Sequence, residues 1–223
     1  IAGIDHVGKV GIPGDVANLS FGGFDKSRAL DDAVLNASNK KKIWMVIASG
    51  NSSLPGTSFS PARINGDYTI TVSAIDALDK YAWFSHFGFP IKFAAPGVNV
   101  YSTTIGGKYR YLSGTSMAAP HVAGVAALIK QVKPAATPDE IETILKTTTR
   151  SFPATCTSCG TGIVDAAAAV AAASGTGGGG GTGATSTVNN ISVARSSWKY
   201  YTVVVPAGMS VLTVNTSGGT GDA

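Results

Sequence analysis

The sequence predicts an α/β fold, a parallel sheet flanked by helices, and three observations carry that expectation. Four apolar, strand-like runs end near Phe21, Ser49, Ile75 and Ala95. Helical or loop stretches separate them, as parallel α/β winding requires. The run from Trp44 to Ala48 is continuously apolar rather than alternating, the mark of a strand buried on both faces.

Taken in order, the segment from Val16 reads as a strand that frays into Gly22 and Gly23, where another backbone can approach closely. Ser27 to Asn39 places Ala29, Leu30, Ala33, Val34 and Ala37 at helical spacing, and lysines 40 to 42 suit the negative end of that helix. The strand from Trp44 opens into a loop at Gly50-Asn51. Gly114 permits a sharp turn, and Ser116 stands where an apolar stretch begins, Met117 to Ile129, broken only by Pro120, His121 and Gly124. Apolar residues on all faces predict a helix buried in the core, with Pro120 in the first turn, where a missing N–H costs nothing. Thr137-Pro138-Asp139-Glu140 is a helix start, its helix running to about Thr147. Gly160 to Asp165 then leads into an alanine-rich helix ending near Ala173.

Ser116 at a helix N-terminus carries chemistry beyond a cap. Free N–H groups and the positive end of the helix dipole face any negative charge that develops beside its hydroxyl. The bland alternative is an ordinary N-cap serine. Asn51, at the end of a buried strand, can aim its amide N–H at a tetrahedral oxyanion, although Gly-Asn is also an ordinary turn. The α/β-hydrolase elbow Gly-x-Ser-x-Gly is absent, because Ala118 stands where its second glycine should be; an esterase using Ser116 is the weaker reading.

The whole run Gly114-Thr115-Ser116-Met117-Ala118-Ala119-Pro120-His121-Val122-Ala123-Gly124 resembles the nucleophile segment of the subtilases, the subtilisin-like serine proteases. Gly50-Asn51 resembles their oxyanion-hole asparagine, in the family's order and approximate spacing. The resemblance implies a partial subtilisin-like sheet over residues 1–173, with Ser116 as nucleophile and Asn51 with the Ser116 N–H holding the oxyanion. It further implies a polypeptide substrate bound between two walls, Ser20, Phe21 and Gly22 on one side and Ala48, Ser49 and Gly50 on the other. The residues leave open whether Phe21 is a core aromatic or a pocket rim.

A serine nucleophile needs a base and the base an orienting carboxylate. The family's Asp-Thr/Ser-Gly and His-Gly-Thr-His motifs, which precede the serine, are absent. The three histidines each have a structural reading: His121 as a packing residue in the serine's own helix, His86 in a loop after Phe84-Ser85, and His6 next to Asp5, where neighbours in sequence do not face each other. The expectation is a secreted endopeptidase present as a fragment that lacks the Asp and His and is inactive by itself, its N-terminal half a missing or separate segment. The strand from Val16 to Phe21 would then be an unpaired apolar edge. The alternative is a catalytically inactive, peptide-binding relative.

Cys156 and Cys159 cannot complete a zinc site alone and lack a βαβ redox setting; in a secreted enzyme they are expected to form a short local disulfide, or else to pair with a cysteine upstream. No metal or other cofactor is expected within this chain. Lys92 stands where the family's weaker calcium site has a carboxylate, so that an ammonium would occupy the cation's place, whereas the complete enzyme is left open to calcium. Residues 174–187 are nearly all Gly, Thr, Ser and Ala and read as a linker. Residues 188–223 resemble the opening of the bacterial pre-peptidase C-terminal domain, with strands from Trp198 to Val205 and Ser210 to Asn215, a β-sandwich too short here to bury a core. A net charge of +4 with only 13% charged residues and no basic stripe argues against a nucleic-acid partner. No apolar run approaches the ~20 residues that span a bilayer, so no membrane partner is expected, and a monomer is.

Overall fold

The computed structural model describes residues 1–175. Helix α1 (Ala2–Val10) precedes strand β1 (Val16–Leu19), and α2 (Arg28–Lys41) leads into β2 (Trp44–Ala48). Strands β3 (Thr69–Ile75) and β4 (Ile91–Pro96) complete a four-stranded parallel sheet whose spatial order follows the sequence, β1-β2-β3-β4. A separate antiparallel hairpin, β5 (Val100–Thr104) and β6 (Lys108–Leu112), comes next, then helices α3 (Thr115–Val132), α4 (Pro138–Thr147) and α5 (Ala166–Ala173).

The apolar run of β2 explains the layering. Successive side chains of a strand point to opposite faces. Trp44, Val46 and Ala48 join Ala118, Val122 and Ile129 of α3 in one core cluster. Met45 and Ile47 join Ile4 of α1 with Val34 and Ala37 of α2 in another. Both faces of the sheet are therefore covered, and every residue of β2 is buried.

Local signals set the helix ends. The Ser27 hydroxyl accepts from the Leu30 N–H at 3.3 Å, and α2 ends in Lys40 and Lys41. Thr137 and Glu140 form a reciprocal capping box at the start of α4. Asp165 caps α5 by accepting from the Ala168 N–H at 2.9 Å.

Three features depart from the sequence expectation. Helix α3 starts at Thr115, so Pro120 is its sixth residue rather than part of its first turn. Nor is α3 buried all round: Pro120, His121, Gly124, Leu128 and Val132 are exposed, because the sheet, α4 and α5 take up only part of its circumference. Two elements were not foreseen, α1, which buries only Ile4, and the exposed β5–β6 hairpin. Tyr101 packs on Tyr109 and Tyr111 across that hairpin, with ring centroids 5.6 and 4.7 Å apart. The linker and C-terminal strands expected at residues 176–223 lie outside the described residues.

Candidate active site

The tip of β4 and the start of α3 meet at two glycines. The Gly114 N–H donates to the Gly97 carbonyl at 2.7 Å, and a Cβ on Gly97 would stand 2.8 Å from the Gly114 oxygen. Gly114 itself has φ +157° and ψ 160°, a conformation open essentially to glycine. It leads straight into Thr115 and Ser116, the first two residues of α3.

Thr115 is fully buried and makes three hydrogen bonds. Its N–H and its hydroxyl both donate to Asn51 Oδ1, at 2.8 and 2.9 Å, while its Oγ1 accepts from the Gly50 N–H at 3.1 Å. With Oδ1 taken twice, the Asn51 amide group has its Nδ2 directed elsewhere, free to donate. Neither Nδ2 nor the Ser116 N–H has an acceptor among the described residues. Two unpaired donors therefore lie at the start of α3, the positive end of an 18-residue helix, the Asn51 Nδ2 standing 3.3 Å from where a Cβ on Gly114 would be. The sequence reading gave Thr115 no role; a hydroxyl residue buried at the first turn of an apolar helix was the available signal, since a buried hydroxyl must find partners.

Ser116 is half-buried, and its bonding is reciprocal with Ser20. The Ser116 hydroxyl donates to the Ser20 carbonyl at 3.1 Å, and the Ser20 hydroxyl donates to the Ser116 carbonyl at 2.8 Å. Pro120 supplies the reason for the second bond. In an uninterrupted helix the N–H of residue 120 would bond the carbonyl of residue 116, and proline has none. Ser20 fills that vacancy, and Asn18 Nδ2 in turn donates to Ser20 Oγ at 2.9 Å.

The other expected site residues lie on β1, β2 and the loops that follow them. Ser20 hydrogen-bonds Ser116, Gly50 hydrogen-bonds the adjacent Thr115, Gly22 packs against Phe59, and Gly23 pairs with Ser60 at 2.9 and 3.0 Å. Ala48 and Ser49 are buried, the former within the core under α3. Phe21 is 49% exposed, which removes the core-aromatic reading; it lines a cavity of about 340 Å³ with Ile1, Ile4 and Val7 beside β1. A second cavity of about 380 Å³ opens next to Ser116, between the hairpin and α3, lined by Val100, Arg110, Leu112, Met117 and Pro120.

No histidine ring hydrogen-bonds the Ser116 hydroxyl among the described residues. His121, expected as a packing residue, is exposed, with Nδ1 2.8 Å from the Met117 carbonyl of its own helix. His6 lies on the exposed side of α1. His86 is fully buried behind Gly50; burial lowers its pKa, opposed by the Ser49 carbonyl. Cys156 and Cys159 are joined as a disulfide, with Cα atoms 5.6 Å apart.

The described residues contain no group of three side chains able to hold a metal. Lys92 Nζ lies 3.1 Å from Glu142 Oε1, and Lys146 Nζ 2.8 Å from the same oxygen. Burial works against the charge on Glu142, but Lys146 and Lys92 outweigh it and hold the carboxyl below its usual range. The Lys92 carbonyl accepts the Thr161 N–H at 2.8 Å. An ammonium paired to a carboxylate does not fit a cation at this loop.

The subtilase family model matches residues 4–180. An extracellular protease of Xanthomonas campestris is 41% identical over 216 residues, covering 90% of this chain and 37% of the relative. Subtilisin Savinase of Lederbergia lenta is 42% identical over 166 residues, 74% of this chain and 59% of the relative. A protease structure from Pseudoalteromonas arctica superposes with a TM-score of 0.65 at 50% identity, covering 71% of this chain and 51% of that one. A cold-adapted subtilisin-like serine proteinase gives the same TM-score at 35% identity, covering 74% of this chain and 57% of that structure. The chain thus spans about 37% to 59% of the lengths of these proteins. The chain belongs to the subtilase family.

Proposed function

We propose that this chain is the nucleophile-bearing part of a secreted serine endopeptidase that hydrolyses polypeptides. The observation that carries the reading is Ser116 at the N-terminus of α3, beside an Asn51 whose orientation Thr115 fixes. The Ser116 oxygen attacks the scissile carbonyl carbon, and its proton passes to a histidine supplied from outside these residues and oriented by an aspartate. The oxyanion that forms accepts from Asn51 Nδ2 and the Ser116 N–H. The histidine then returns the proton to the departing amine, and water hydrolyses the acyl-enzyme by the same route. The extended substrate lies between the walls that contain Ser20 to Gly22 and Ala48 to Gly50. Secretion accords with relatives named as extracellular proteases.

The same reading makes residues 1–173 the peptidase portion, residues 174–187 a linker and residues 188–223 the start of a pre-peptidase C-terminal module. It gives the Lys92 loop no metal, leaves a calcium requirement to the rest of the enzyme, and takes the chain as a monomer with neither nucleic acid nor membrane as partner.

A second reading has one observation in its favour. The Ser116 hydroxyl donates to the Ser20 carbonyl, and among the described residues no histidine ring hydrogen-bonds it, which favours a relative that binds peptide without cutting it. The coding sequence upstream of Ile1 separates the two. An in-frame Asp-Thr/Ser-Gly and His-Gly-Thr-His support the protease; their absence supports a peptide-binding relative.

A further inference from the structure

The space between the two proposed substrate walls is bridged by side chains of the protein itself. A Cβ built on Gly22 would lie 2.2 Å from Cε1 of Phe59 and 2.7 Å from its Cδ1. A Cβ built on Gly50 would lie 2.5 Å from Cε1 of His86 and 2.6 Å from its Nδ1. The Phe59 and His86 rings meet edge to face, with centroids 5.4 Å apart and planes at 85°. Contact therefore runs without a break from one wall glycine to the other: Gly22, Phe59, His86, Gly50. Phe24 packs on the same pair, 5.4 Å from Phe59 and 6.3 Å from His86.

Neither ring hangs on a loose tether. Ser60 exchanges both backbone hydrogen bonds with Gly23, and the Arg63 N–H donates to the Phe59 carbonyl at 2.8 Å. The Arg63 guanidinium is itself anchored on buried Asp31, at 2.6 Å. His86 is held by its N–H on the Gly50 carbonyl at 3.0 Å. A glycine on each wall ordinarily leaves width for a large substrate side chain; here that width is taken by the two rings.

We propose that Phe59, backed by His86, determines specificity by closing this pocket to all but small side chains, those of glycine, alanine and serine, at the residue whose carbonyl Ser116 attacks. The proposal rests on the reading of Ser116 as nucleophile and of the two walls as the substrate site.

Peptide aldehydes test it on the secreted protease that carries this chain. The Ser116 oxygen adds to the aldehyde carbon and its proton passes to the aldehyde oxygen, giving a hemiacetal. Equilibrium binding is compared for two tetrapeptide aldehydes that differ only in ending with alaninal or phenylalaninal. The alaninal peptide should bind about tenfold more tightly or better, since overfilling a closed pocket forfeits at least what one misplaced methylene does. Phe59→Gly should reverse the order; Phe59→Ala serves if the glycine variant does not fold. Wild-type preference for phenylalaninal would overturn the pocket proposal and leave the functional reading intact. Failure of both aldehydes to bind, or binding unchanged by Ser116→Ala, would overturn the functional reading and this proposal with it.

Discussion

Asn51 and Thr115, 64 residues apart in sequence, are joined by two hydrogen bonds to a single oxygen, Asn51 Oδ1. That oxygen is saturated, so the amide nitrogen is the end of Asn51 left to donate. Thr115 is a positioning residue: it touches no substrate in the proposed mechanism but fixes the group that does.

Thr115→Val keeps the shape and removes the hydroxyl, leaving the Gly50 N–H without its acceptor. We expect kcat of the protease carrying this chain to fall about tenfold or more with little change in KM. Asn51→Ala should fall further, ~10²–10³-fold, the magnitude known for this donor in subtilisin itself. Thr115→Ser should restore most of the activity. A purely structural role for Thr115 would instead lower stability in the Val variant and leave kcat per folded molecule unchanged.

Ser20 and Pro120 are coupled through the Ser116 carbonyl. Ser20→Ala removes the side-chain donor to that carbonyl and should cost ~1 kcal/mol in urea denaturation. Pro120→Ala supplies a helical N–H for the same oxygen. The double variant should then lose less than Ser20→Ala alone, a non-additivity that a double-mutant cycle reads directly. Strict additivity would contradict the coupling.

His86 makes stability depend on pH in one direction. Burial lowers its folded-state pKa below the ordinary 6.5, so the unfolded chain takes up a proton at a pH where the folded chain does not. Its contribution is complete above pH 6.5 and is lost as the pH falls from there through the lower folded value. The urea midpoint should drop across that window. His86→Asn should show a shallower drop, and equal slopes in the two proteins would contradict the assignment.

Lys92 and Glu142 give a prediction about metal. Calcium added to crystals should leave the Lys92 loop empty, and an ion within ~3 Å of its carbonyls would contradict the reading. Lys92→Ala should cost about 1–2 kcal/mol, between the exposed and buried limits for ion pairs, because Lys146 still holds Glu142.

The sheet was legible chiefly through β2, which is buried on both faces and therefore continuously apolar from Trp44 to Ala48. Helices α2 and α4 announced themselves through Ser27 and Thr137, whose caps are local. Ser116 and Asn51 were legible because their chemistry resides in short contiguous runs. The hairpin was not, since its residues are mostly exposed and Tyr101, Tyr109 and Tyr111 stabilise it by packing on one another rather than on the core. Pro120 was misplaced by assuming that α3 starts at Ser116 or later, and its effect on Ser20 is a contact across 96 residues. Phe59 was hidden for a similar reason: what places it is the pairing of Ser60 with Gly23, which no local pattern encodes.

The central claim is that Ser116 is a nucleophile, and casein hydrolysis by the secreted protein carrying this chain tests it most directly. Wild-type protein should cleave casein and take up a fluorophosphonate on Ser116, and Ser116→Ala should abolish both. Casein cleavage that survives Ser116→Ala would contradict the account.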